Sequence, residues 1–83
     1  MIKENSTEKI QTCSLYAKYE GMSNFKAFDI ENGRFVNNII YATMVQNTED
    51  KKKMLKEIAD DNKNISLVLQ LRNEGRVVFS TNE

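Results

Sequence analysis

The sequence predicts an α+β fold: a single domain with an antiparallel sheet of about five strands in the order β-β-β-α-β-β, and one helix packed on one sheet face. Three observations predict it. Several segments alternate apolar and polar residues as half-buried strands do, one segment carries a helical apolar stripe, and the three glycines stand singly at the joints between them.

Residues 1–9 are polar and aperiodic and read as a flexible N-terminal arm, so the folded domain is expected over 10–83. In "IQTCSLYAKYEGM", Cys13, Leu15, Ala17 and Tyr19 share one side of a first strand, with Ser14, Tyr16 and Lys18 on the other. Gly21 permits a reversal in "EGMSN". "FKAFDI" follows as a second strand, and Asn32-Gly33 is the preferred pair for a tight type I′ turn. That register sets Glu31 opposite Arg34 and Ile30 beside Phe35, and it leaves Phe28 across from Asn37. A third strand is expected through "FVNNIIYATMV", with apolar residues on both of its sides.

The helix follows. Asn47 or Thr48 caps it, Glu49 and Asp50 suit the positive end of its dipole, and Met54, Leu55, Ile58 and Ala59 form the stripe facing the sheet. Its end is expected at Asp61-Asn62, where asparagine tolerates the left-handed conformation. "ISLVLQLRNEGRVVFSTNE" reads as a closing hairpin with the three-residue loop Asn73-Glu74-Gly75. This loop aligns Leu71 with Val77 and Leu69 with Phe79, so that Ile65, Leu67, Leu69, Leu71, Val77 and Phe79 share one face.

Composition narrows the function classes. Eighty-three residues carry twelve acidic and twelve basic side chains, and the balance holds in both halves of the chain. Domains that live on phosphate contacts usually carry a basic excess, so nucleic acid is disfavoured as a ligand. Histidine is absent, and with it the commonest general base and zinc ligand. The single Cys13 has no partner for an intrachain disulfide, and "MIKENSTEKIQ" lacks the apolar stretch that export needs; a cytoplasmic location is expected, with no membrane partner. A chain this short holds a modest core, so a homodimer is compatible with it.

The candidate sites each have a plain structural reading. Asn37-Asn38 reads as a bulge that returns Ile39 onward to register; the other reading is a polar recognition edge, since paired amides both donate and accept. Asp29, Glu31, Asp60 and Asp61 lack the spacing of a metal loop and read as solvated carboxylates. Cys13 reads as a small buried hydrophobe, and the serines lack a nucleophile elbow and a base. No enzyme, metal or cofactor is expected. Tyr16, Lys18, Lys26 and Arg34, with Arg72, suggest an exposed sheet face able to hold a partner protein or to stack and neutralise nucleic acid. With Asn37 and Asn38 they make up the candidate partner-binding set.

The motifs "YAKYEGM", "FKAFD", "G-x-FV" and "IYAT", in that order within 14–43, resemble a group of small proteins on phages and other mobile elements of Gram-positive bacteria. The resemblance implies context without an activity. From that context the leading expectation is a non-catalytic inhibitor of a host protein, with CRISPR-type and other anti-phage defence effectors as natural targets. The alternatives are a nucleic-acid-binding accessory protein and a structural dimer module of a phage assembly.

Overall fold

A computed structural model describes residues 11–62 and 64–81; the expected arm over 1–9 lies outside them. The strands are β1 (Thr12–Tyr19), β2 (Lys26–Asp29), β3 (Arg34–Phe35), β4 (Met44–Gln46), β5 (Ile65–Leu71) and β6 (Val77–Ser80), with one helix, α1 (Glu49–Asp61), between β4 and β5. They form one antiparallel sheet in the order β3-β2-β1-β5-β6, with β4 also paired to β1. The expected α+β single-domain architecture is the observed one. Among the described residues no helix is long and apolar enough to cross a membrane.

β1 is the centre. From Cys13 to Tyr19 it pairs with β5, and its other edge is shared: β4 takes Thr12–Ser14 and β2 takes Tyr16–Ala17. Thr43 closes the gap between these two neighbours. Its N–H donates to the Phe28 carbonyl at 3.0 Å, its carbonyl accepts from Leu15 N–H at 3.0 Å, and its hydroxyl accepts from Ile30 N–H at 2.9 Å.

Alternation then sorts the side chains. Cys13, Leu15, Ala17, Leu67, Leu69 and Leu71 are all buried on the face that α1 covers, together with Leu55, and Ile58 and Ala59 pack at the margin. Met54 was expected within the helix stripe and stands 41 % exposed at its edge instead. Thr48, rather than Asn47, is the N-cap: its hydroxyl accepts from Lys51 N–H at 3.3 Å, with Glu49 and Asp50 in the first turn. The helix ends with Asn62 as its C-cap, and Asn62 itself is not left-handed. Asn62 has φ −121°, and both its backbone N–H and its side-chain amide donate to the Ile58 carbonyl.

Three turns correct the expected registers. The β2–β3 connection is not a two-residue type I′ turn, because Asn32 does not adopt positive φ; only Gly33 does, at 64°. Asp29 pairs with Arg34 and Phe28 with Phe35, which leaves a four-residue loop. The Asp29 carboxylate organises that loop by accepting from Glu31 N–H at 3.2 Å, Asn32 N–H at 3.4 Å and the Asn32 side-chain amide at 2.7 Å. The hydrogen bond from the Asn32 side chain is the main reason its carboxyl titrates below the usual range. This register removes the poor Phe28–Asn37 pairing. It brings Phe28 and Phe35 within 5.0 Å, edge to face, with Tyr19 at 6.3 and 5.9 Å from them.

Gly33 is open to solvent, so a substitution there meets only backbone strain. Gly33→Val is expected to destabilise the domain by about 1–2 kcal/mol, the cost of left-handed backbone for an L-residue, and more for a β-branched one. A thermal melt equal to wild type would contradict this.

In the β5–β6 hairpin, Gly75 takes the expected positive φ of 72°, and Leu69 does face Phe79. Leu71 does not face Val77. Gly75 N–H donates to the Leu71 carbonyl and Leu71 N–H to Arg76, a longer loop than expected, and an irregularity between Leu69 and Gln70 restores the register. Val77 consequently pairs with Gln70 and is exposed, and it does not join the core face.

The expected third strand is the largest departure. Between β3 and β4 the chain leaves the sheet and makes one 3₁₀ turn, Ile39–Tyr41. Asn38 caps it: its side-chain oxygen accepts from Ile40 N–H at 3.1 Å. The Asn37-Asn38 pair is therefore no bulge. The second asparagine starts a turn, as a short side chain that competes for backbone N–H groups does.

Candidate functional site

The strand break leaves an exposed apolar turn at the surface. Tyr41 N–H donates to the Asn38 carbonyl at 2.9 Å and Ala42 N–H to the Ile39 carbonyl at 3.0 Å, which closes one turn with its apolar side chains facing outward. Ile40 is 60 % exposed, Tyr41 67 %, and Met44, just beyond the turn, 62 %. A single exposed apolar residue needs no explanation, but three within five positions of a chain with 29 % charged residues call for one. Met44 also borders an open groove of about 460 Å³ that Ile30, Met54 and Ile58 line together with Glu31 and Lys51. Two of its lining residues are methionines, whose side chains adapt readily to a partner's shape.

The turn is tied to the sheet from behind. Ser14 points away from the helix-covered core yet is fully buried. Its hydroxyl accepts from Arg72 Nε at 2.9 Å, and Arg72 Nη2 donates to the Ile39 carbonyl at 2.8 Å. The face opposite α1 is therefore not the open platform expected from alternation. Ser14 and Val68 are buried on it, and Tyr16 and Lys18 are half-buried.

The expected site residues separate on this frame. Tyr16 pairs with Val68 and Ala27, and Lys18 pairs with Ser66, on the face away from the helix. Lys18 Nζ lies 5.6 Å from the Phe25 ring centroid, within cation–π range. Arg34 sits across from Asp29 with its guanidinium 4.0 Å from the carboxylate, at the far edge strand. Lys26 pairs with Ala17 and thus belongs to the other side of the sheet. Asn37 is exposed beside the turn, and Asn38 is its cap. Arg72 is committed to Ser14 and Ile39.

Sequence reasoning passed over Ile40, Tyr41 and Met44, because a strand reading alternates them between two covered faces. The signal that could have found them is Asn38, a cap residue directly before a short apolar run.

The remaining chemistry is sparse. Burial pushes the Cys13 thiol above its ordinary value against a smaller opposing pull from Lys52, so it stays protonated at neutral pH. Among the described residues no three His, Cys, Asp or Glu side chains gather as a metal site. Fold and surface together define a small α+β domain with one buried face and an outward apolar turn. No family model, curated protein or solved structure matches the chain.

Proposed function

We propose that this chain is a non-catalytic binding protein that holds and blocks a host protein. Effectors of anti-phage defence, CRISPR-type effectors among them, are the natural class of target. The exposed Ile40–Tyr41–Met44 surface carries the reading. Tyrosine and methionine are enriched where proteins meet, and they contribute most when a partner removes them from water. The mobile-element context rests on the sequence resemblance within 14–43.

The arrangement of charge favours a protein partner over nucleic acid. A phosphate-binding face needs cations free to replace counterions along one stripe. On the sheet Arg72 is spent on an internal carbonyl and a serine, Arg34 faces Asp29, and Lys26 lies on the opposite side from Lys18, while Lys53 and Lys56 are exposed on the helix among acidic neighbours. Titrating labelled DNA and RNA into the isolated domain at two salt concentrations tests the choice. Negligible binding at both is expected. Tight binding that collapses as salt rises would overturn the protein-partner reading.

A further inference from the structure

We infer that Arg72 is the positioning residue of this surface: its guanidinium locks the Ile39–Tyr41 turn to the sheet and fixes the shape that a partner meets. One turn of 3₁₀ helix has poor hydrogen-bond geometry and little stability alone. This one buries none of its own side chains and holds two internal backbone bonds plus the Asn38 cap. Buried Ala42 and the sheet-bound Thr43 hold its far end, but no side chain of Ile39–Tyr41 holds its start. Arg72 supplies the anchor.

The geometry needs arginine. Its backbone N–H donates to the Thr12 carbonyl at 3.2 Å, which roots the residue at the end of β1. Nε then donates to the fully buried Ser14 hydroxyl, which sets the plane of the fork, and Nη2 of the same plane reaches the Ile39 carbonyl. The Ile39 oxygen already accepts from Ala42 N–H, so the guanidinium fills its second lone pair at the point where the turn closes. A lysine ammonium is a single point of charge on a flexible stem and cannot hold both acceptors in one rigid plane.

Its functional meaning rests on the proposed use of the turn as a contact surface, but the order of the turn is measurable without a partner. Backbone order parameters from ¹⁵N relaxation on the full chain provide the test. In wild type, Ile39–Ala42 is expected near the rigid value of about 0.85. In both Arg72→Ala and Arg72→Lys it is expected to fall below about 0.6, while β1 and β5 keep wild-type values. Ser14→Ala, which removes one acceptor and adds no volume, should move the turn in the same direction by less. A turn that stays rigid in both Arg72 variants overturns the inference. So does a wild-type turn that is already mobile, or loosening shared equally by β1 and β5, which would make Arg72 a general stabiliser of the fold. If the Arg72 variants loosen the turn while a captured partner ignores changes at Ile40 and Tyr41, the lock stands and the contact-surface reading falls.

Discussion

Leu69→Ala is expected to destabilise the domain by about 2–5 kcal/mol, the range for a fully buried leucine truncated to alanine. Leu69 sits between Leu15 on β1 and Phe79 on β6 and has no exposed surface. Its removal leaves a cavity in the middle strand region, bounded on one side by hydrogen-bonded backbone that cannot collapse freely. In a domain of this size each kcal/mol lowers the melting temperature by roughly 4–8 °C, so a fall of about 10 °C or more is expected. Against a typical total of about 5–15 kcal/mol, that loss leaves little reserve. Val77→Ala is the matched control. Val77 was expected on the same face but is exposed, and its truncation should stay within about 0.5 kcal/mol. A Leu69→Ala melt equal to the control would remove Leu69 from the core.

Those two residues also show what was legible in the sequence. Strict alternation in "CSLYAKY" and "ISLVLQL" has one low-cost solution, because a slip by one residue would expose four or five apolar side chains at once. β1, β5 and the Leu55, Ile58 and Ala59 part of the helix stripe therefore followed from pattern alone, while Met54 did not. Val77 did not, since a longer loop and a later irregularity give the same Leu69–Phe79 pairing as the three-residue loop assumed. The β2–β3 turn failed for a related reason. Asn32-Gly33 does favour a two-residue hairpin, but Asp29 offered three acceptor contacts and Phe35 offered Phe28 a ring to pack on. Together these outweigh a local turn preference.

The candidate surface was hidden by the same ambiguity. "IIYATMV" alternates equally well in a strand covered on both faces and in a chain that has left the sheet. Periodicity reports the spacing of apolar groups and says nothing of whether a second layer exists to cover them. What decided the outcome was non-local. Arg72, thirty-three residues further along, reaches the Ile39 carbonyl. Thr43 returns the chain to β1 between two strands that would otherwise part. Of the basic and aromatic set chosen from alternation, Tyr16, Lys18, Arg34 and Arg72 do lie on one side of the sheet and Lys26 on the other, but Arg72 is turned inward to Ser14 and Ile39, so that side is no open platform.

The paired substitution Ile40→Ser with Tyr41→Ala is expected to weaken partner binding by about 30-fold or more. Loss of central interface anchors typically costs at least about 2 kcal/mol, and each 1.4 kcal/mol is a factor of ten in Kd. Both side chains are mostly solvent-exposed in the free domain, so the melting temperature should hardly change. That separation matters, because a variant that merely unfolds would also lose its partner. The measurement has two stages: capture from nuclease-treated host lysate to identify a protein partner, then titration of the purified pair with wild type and variant. Tyr16→Ala with Arg34→Ala serves as the comparison. Tyr16 is half-buried beside Val68, and Arg34 already faces Asp29, so this second pair should cost the partner less than the first. Equal affinity for wild type and the Ile40/Tyr41 variant would exclude the turn as the contact surface. A larger loss from Tyr16 and Arg34 would move the interface to the sheet face and its hairpin tip.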